Sequence, residues 1–259
     1  MTAVGNEVTG FAVGDRVMGM SAAGPMPSVR GSIAGWRLPF RPGCPSSRRP
    51  QSWKASSRAG RLLHISDKPQ KSETVLIHAA AGGIGSAAVQ PAKAAGATEL
   101  ATASAGNIGN VLSQGAEAVF DYQRSDFEAE VVDATASCGV DLIIDFVSGS
   151  YLVRNIRSLA PGGRLVQVGL LGRDDNAIIP LGTVLHNHLQ LLGTVMKSRS
   201  RSEKRAMIRR FRDDVLPMMG KELQPVVGAL CPLSATSDAD RRMDARGVFG
   251  KIVLGDFHG

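Results

Sequence analysis

The stretch Thr74-Val75-Leu76-Ile77-His78-Ala79-Ala80-Ala81-Gly82-Gly83-Ile84-Gly85-Ser86-Ala87-Ala88 constrains the fold of this chain more than any other. An apolar, β-branched run opens into a glycine cluster and then into a small-residue pattern of helical character. Ala80-x-Gly82-x-x-Gly85 matches G-x-G-x-x-G except for alanine at the first glycine, and it stands between an expected strand and an expected helix. That arrangement is a phosphate cradle. Gly82 and Gly83 let the backbone approach a pyrophosphate, Gly85 and Ala88 let the helix lie close to the strand, and the helical turn that Ile84 begins presents free N–H groups to the anion. The alternative at this point is a glycine-rich strand-to-helix turn that holds no ligand.

The chain beyond Ala88 supplies the rest of such a fold. Strand 74 to 79 leads into a helix over about 84 to 95 and a strand over 98 to 103. A Gly/Asn-rich helix precedes strand 117 to 122, a helix covers 127 to 137, and Val140 to Val147 reads as a buried strand followed by helix 150 to 159. Pro161-Gly162-Gly163 turns the chain into strand 164 to 168, and a strand over 189 to 195 precedes a basic amphipathic helix over 202 to 219. The tail reads strand, helix, strand, ending at Lys251 to Leu254. This alternation predicts an α/β fold, a doubly wound parallel Rossmann sheet with helices on both faces, over residues 73–195. Two residues cut across the pattern. Pro91 removes a hydrogen bond inside the first helix and crowds the carbonyl of Ala87, at a cost of about 3 kcal/mol unless the helix kinks. Glu99 lies in the second strand, where its charge needs a partner or an outward direction.

The formal charge of +7 looks like a nucleic-acid signal until it is located. Residues 24–72 hold ten Lys and Arg against the single acid Asp67, so the excess is confined to this segment. Seven of the 13 prolines and both tryptophans, Trp36 and Trp53, also fall there, and periodicity disappears. Such a composition struggles to bury enough apolar surface to offset chain entropy, so the segment is expected to be irregular. Its basic residues follow no spacing that gathers them on one face, and no nucleic-acid partner is expected.

Other function classes fall away on composition. No run of about 18 apolar residues occurs and the N-terminus lacks a signal-peptide pattern, which predicts a cytoplasmic chain with no membrane partner. Cys44, Cys138 and Cys231 are scattered without CxxC spacing, which argues against a disulfide framework and a structural zinc site. His186 and His188 are two apart and would not share a helix face, so they are read as surface or core residues rather than metal ligands. The helix bearing Lys204, Arg205, Arg209, Arg210 and Arg212 reads as a solvated face.

Seven short motifs occur in order at fitting intervals: Gly14-Asp15-Arg16-Val17, Ala79 to Gly85, Val119-Phe120-Asp121-Tyr122, Gly139-Val140-Asp141, Asp145-Phe146-Val147, Pro161 to Val166, and Gly250 to Leu254. With them the chain resembles the zinc-independent quinone oxidoreductase branch of the medium-chain dehydrogenase/reductase superfamily, nearest its p53-inducible type, over residues 1 to 20 and 73 to 255. The resemblance implies NADPH as hydride donor and a small-molecule quinone or alkenal as acceptor, with no metal and no catalytic side chain. The residues agree on the donor. An acid at the end of the second strand would repel a 2′-phosphate, and that strand ends Thr102-Ala103-Ser104, so NADPH is expected ahead of NADH. The family's lysine shortly after Ser104 is replaced by the Asn107-Ile108-Gly109 region. Ser104 is expected to bond the phosphate, and Tyr122 matches the tyrosine that packs by the adenosine end or, alternatively, simply covers the core. Val147, with Ser148, and Gly169-Leu170 follow strands and match positions that flank the nicotinamide.

The resemblance also divides the chain. Residues 1–23 read as a remnant of the family's GroES-like catalytic barrel, 24–72 as the unmatched basic segment, 196–219 as a long helix, and 220–259 as a return to the barrel. The chain begins near the end of that barrel's usual sequence, so acceptor-side residues are expected to be missing. That leaves two alternatives open: an enoyl or alkenal reductase, and a truncated nucleotide-binding protein without activity. A homodimer is compatible with either. The unmatched segment has about the length that the family places there, and its richness in Arg, Pro, Ser and Gly is what two compensating frame shifts in a GC-rich gene would produce.

Overall fold

The computed structural model describes residues 71–174, 176–245 and 247–255, together with residues 4, 6, 9–15, 17–19 and 37–39. Strands β1 (Val17–Gly19) and β2 (Arg37–Pro39) pair antiparallel near the N-terminus. Then come β3 (Thr74–Ile77), α1 (Ser86–Ala94), β4 (Thr98–Ala103), α2 (Ile108–Gln114), β5 (Ala118–Asp121), α3 (Phe127–Ala134), β6 (Val140–Asp145), α4 (Tyr151–Ser158), β7 (Leu159–Gln167), α5 (Leu181–His186) and β8 (Gln190–Gly193). Helix α6 (Arg201–Arg210) leads to β9 (Val227–Cys231), α7 (Thr236–Asp244) and β10 (Lys251–Leu254).

Six of these strands form one parallel sheet in the order β5-β4-β3-β6-β7-β8, which is the doubly wound arrangement. Because β3 is central and covered on both sides, Val75, Leu76 and Ile77 have no exposed surface. Alternation along the strands sorts the core into two layers. Val75, Ile77, Ala101 and Leu142 meet Val89, Ala92 and Val111 from α1 and α2 on one face. Leu76, Leu100, Ile143 and Leu165 meet Phe127, Val131 and Ile156 from α3 and α4 on the other. At the amino ends of the strands Arg164 forms a bidentate pair with Glu73 (3.0 and 2.8 Å), and the Thr74 N–H donates to Asp141 Oδ2 at 2.8 Å.

The structure departs from the sequence reading in several places. The long helix expected over 202 to 219 ends as an α-helix at Arg210, widens into a π turn over Phe211–Val215, and tightens to a 3₁₀ turn over Leu216–Met218. The change of pitch buries Ile208, Phe211, Val215 and Leu216 in one cluster, and Pro217 has no N–H with which to continue an α-helix. Helix α5 leaves no mark in the sequence pattern because it has no buried residue and therefore no apolar stripe. Pro161-Gly162-Gly163 lies within β7 as an excursion between two paired positions, Val140 opposite Leu159 and Leu142 opposite Arg164. Helix α1 runs through Pro91 to Ala94.

Glu99 is neither paired nor turned outward: it is 2% exposed, and its carboxylate oxygens have no hydrogen-bond partner among the described residues. Burial pushes this carboxyl up to about 8, against a smaller downward pull from the Lys93 ammonium, so proton uptake takes the place of an ion pair. Within the segment 24–72, Arg37–Pro39 is strand rather than irregular backbone, because β1 offers it a pairing edge; the tryptophans and the other basic residues up to residue 70 lie outside the described residues. The ends expected to form a barrel fragment take the form, among the described residues, of two separate two-stranded sheets, β1-β2 and the parallel pair β9-β10. No helix of the described residues is long and apolar enough to cross a membrane.

Candidate functional site

The sheet order reverses between β3 and β6, so the loop after β3 opens a crevice at the carboxyl ends of the strands. His78 and Ala80 continue the ladder, donating to the Ile144 and Thr102 carbonyls, and the Gly82 N–H then closes a turn onto the Ala79 carbonyl at 2.9 Å. Gly85 is where the helix touches the strand. A Cβ there would lie 2.4 Å from the Ala79 oxygen and 2.7 Å from Ala80 Cα, which only glycine avoids. At Gly83 the obstacle is different, since a Cβ would meet only the Lys251 side chain, at 2.3 to 2.8 Å. Among the described residues no hydrogen-bond acceptor meets the N–H groups of Ile84 and Gly85 at the start of α1. Two such donors at a helix N-terminus, on a floor of glycine, form an anion cradle.

The cradle opens into a cavity of about 500 Å³. Its floor is Ala79 and Gly82 to Gly85, and its apolar wall is Phe146, Val168 and Leu171. Thr194 to Lys197, after β8, close the far side together with Met207 of α6. Lys197 and Lys251 bring positive charge, and among the described residues no acidic one lines the cavity. A glycine-rich floor, donors that meet no acceptor among the described residues, and cationic walls fit the pyrophosphate of a dinucleotide.

Of the residues singled out from sequence, Gly82, Gly83, Ile84, Gly85 and Gly169 meet in this cavity. The other four do not line it. Ser104 follows β4, where its Oγ accepts from Asn107 Nδ2 at 3.3 Å. Tyr122 follows β5, its N–H on the Ala103 carbonyl, so both stand at the carboxyl ends of strands on the β4-β5 side of the crevice. Val147 is half-buried behind the wall, accepting from the Gly172 N–H, and Leu170 is exposed beside Leu171. Sequence reasoning missed Lys251, Lys197 and Met207. For Lys251 a signal was present in the Gly250-Lys251 motif; Met207 sits within a helix whose charges drew the attention.

A buried polar chain underlies the cradle. His78, Asp145 and Asn155 are all fully buried. Nδ1 of His78 lies 3.0 Å from Thr102 Oγ1, and Nε2 lies 2.7 Å from Asn155 Oδ1. Asn155 Nδ2 donates to Asp145 Oδ2 at 3.0 Å, and the Val147 and Ser148 N–H groups complete the carboxylate shell at 2.6 and 3.1 Å. Burial holds the His78 imidazole below its usual range despite the upward pulls of Asp145 and Asn155. The neutral ring therefore serves as a spacer between strands. The carboxylate end of the chain fixes the turn over 146 to 148, whose carbonyls accept from Leu171 and Gly172 and so hold the apolar wall.

Among the described residues no three or more His, Cys, Asp or Glu side chains gather in a metal-binding group, so none offers the donor set that a zinc ion requires.

Comparison with known proteins bears on this geometry. The sequence pattern of the family described as zinc-binding dehydrogenase matches residues 83–213, just over half of the chain. A phenolphthiocerol synthesis polyketide synthase of Mycobacterium marinum is 34% identical over 178 residues, covering 64% of this chain and 8% of that protein. A mycocerosic acid synthase-like polyketide synthase of Mycobacterium tuberculosis is 30% identical over 256 residues, 98% of this chain and 12% of the relative. The chain thus spans only a small part of these curated relatives. Among solved structures, the CurF ER cyclopropanase of the curacin A pathway superposes with a TM-score of 0.83 at 26% identity, covering 98% of this chain and 75% of that one. Escherichia coli quinone oxidoreductase complexed with NADPH superposes at 0.85 over 98% of this chain and 78% of that one; at 22% identity this likeness shows the fold alone. Since the family match runs from the cradle through the sheet to α6, the chain belongs to the zinc-binding dehydrogenase family of the medium-chain dehydrogenase/reductase superfamily.

Proposed function

We propose that the cleft holds a reduced nicotinamide dinucleotide, NADPH ahead of NADH, and that the chain is an oxidoreductase acting on a quinone or similar electrophilic acceptor. The observation that carries this reading is the cradle at the sheet's reversal point, where the N–H groups of Ile84 and Gly85, which meet no acceptor among the described residues, open into a cavity whose described lining holds two lysines and no acid. When bound, the cofactor supplies the hydride. The chain's own part is to hold, orient and keep dry. The Ile84 and Gly85 amides receive phosphate oxygens over the open floor at Gly82 and Gly83, while Phe146, Val168 and Leu171 present an apolar wall suited to a flat ring system. The preference for NADPH rests on the end of β4, where Thr102 turns its hydroxyl to His78 and Ser104 follows without an acid.

A second reading, reduction of an enoyl or alkenal acceptor, is favoured by the polyketide synthases among the relatives and by the likeness to the CurF protein. One experiment separates the readings: titration of the chain with NADPH and NADH by fluorescence, alongside turnover of a panel of quinones, alkenals and enoyl thioesters. Quinone turnover supports the first reading and selective enoyl turnover the second. Binding without turnover marks a nucleotide-binding chain without reductase activity, and the lack of any dinucleotide binding overturns the proposal.

A further inference from the structure

We infer that His78 is a positioning residue: the hydrogen-bond chain it completes holds the cradle floor and the apolar wall of the cavity in register, so that the phosphate end and the ring end of one cofactor are seated together. This deepens the reading above and rests on it. The ladder between β3 and β6 runs to Ile77 opposite Ile144, and one more bond, from the His78 N–H to the Ile144 carbonyl at 3.1 Å, closes it. Beyond that point the crevice opens and side chains take over the bridging. His78 follows β3, Thr102 belongs to β4, Asp145 ends β6, and Asn155 comes from α4, so the chain spans three neighbouring strands across the reversal point.

The order of donors follows by elimination. Asp145 receives the Val147 and Ser148 N–H groups, so the Asn155 atom that meets it, at 3.0 Å, is the amide nitrogen. The Asn155 oxygen then faces His78 Nε2 at 2.7 Å and can only accept, so Nε2 carries the proton. Nδ1 is left with its lone pair and receives the Thr102 hydroxyl at 3.0 Å, and the Thr102 oxygen in turn accepts from the Ala79 N–H at 3.3 Å. Edge contacts with Phe127 and Tyr151, whose ring centroids lie 4.7 and 5.0 Å away, hold the imidazole in this orientation.

Both ends of the chain finish on a left-handed residue that is not glycine, Ala79 at φ 48° and Ser148 at φ 65°. Backbone of that kind persists only where its surroundings enforce it. Ala79 is part of the cavity floor, and its carbonyl closes the turn from Gly82. Ser148 ends the turn whose Phe146 and Val147 carbonyls hold Leu171 and Gly172. One chain thus clamps a turn on each side of the crevice.

The test uses the full chain with Thr102→Val, which removes the hydroxyl and keeps the shape, and Thr102→Ser, which keeps the hydroxyl. Nitrogen NMR of the imidazole reads the chain in the unsubstituted protein: the His78 proton should sit on Nε2, and a proton on Nδ1 instead overturns the inference. Hydrogen exchange without cofactor reads the coupling. Thr102→Val lies on the cradle side, yet it should speed exchange at the Val147, Ser148, Leu171 and Gly172 amides while leaving 127–134 as they were; Thr102→Ser should change neither. In a fluorescence titration with NADPH, Thr102→Val should weaken binding roughly 3- to 10-fold and reduce the enhancement of nicotinamide emission, and Thr102→Ser should restore both. Wall amides that do not respond in Thr102→Val, or that speed up only in step with 127–134, overturn the inference and leave the cofactor reading intact, as does full nicotinamide enhancement in that variant. Failure of the unsubstituted chain to bind NADPH or NADH overturns both.

Discussion

Replacing Glu99 by glutamine should stabilise the chain, and by an amount that grows with pH. The carboxyl sits on β4 on the face packed by α1 and α2, 2% exposed and without a hydrogen-bond partner among the described residues. It titrates from an ordinary 4.5 in the unfolded chain to about 8 in the folded one. Below pH 4.5 both states carry the proton and the site has no pH dependence. Between pH 4.5 and 8 the unfolded chain loses its proton while the folded chain keeps it, so stability falls as pH rises, by about 1.4 kcal/mol per pH unit. The accumulated cost is about 3 kcal/mol at about pH 7 and levels off near about 5 kcal/mol above about pH 8. Glutamine has the same shape and never ionises. Urea unfolding of both proteins between about pH 5 and about pH 8 should give a stability difference below about 1 kcal/mol at the acid end, rising to about 3 kcal/mol in favour of Glu99→Gln at about pH 7. Carboxylates that titrate the other way, such as Asp126 beside Arg154, act equally in both proteins and cancel. Parallel stability curves, or a Glu99→Gln protein weaker at every pH, would refute the argument that Glu99 is buried without a compensating charge.

Three further sets of substitutions probe the site and its supports. Gly83→Val should fold, because its side chain displaces only the flexible end of Lys251, yet it should lose NADPH binding in a fluorescence titration; Ser86→Ala should change affinity far less, and Gly85→Ala should instead lower Tm because it strikes backbone. Asn155→Leu strands His78 Nε2 and takes from the buried Asp145 Oδ2 one of its two donors, leaving the Ser148 N–H, which should cost about 1 to 3 kcal/mol in urea unfolding and loosen the wall at Leu171. Arg164→Met leaves Glu73 without its bidentate partner and should cost about 3 to 5 kcal/mol, much of it recovered in the double substitution with Glu73→Met.

By itself the sequence determined the sheet and the floor of the cleft, because both are written in local pattern. The run Thr74 to Ile77 read as a strand buried on both faces, the small residues at 82 to 88 read as the turn and helix that follow it, and the alternating apolar segments pointed to a parallel sheet, which the strand order bears out. What lies opposite the floor is not local. Lys251 reaches the cradle only because Gly250 docks on Ala81, and Met207 faces the cavity only because α6 packs where it does. Tertiary packing likewise put Leu171 rather than Leu170 on the cavity wall and left Ser104, Tyr122 and Val147 outside its lining. Glu99 shows the limit most plainly. A strand pattern says that one face will be covered, but whether a partner stands beside the carboxylate depends on distant chain, and here burial was relieved by a proton instead.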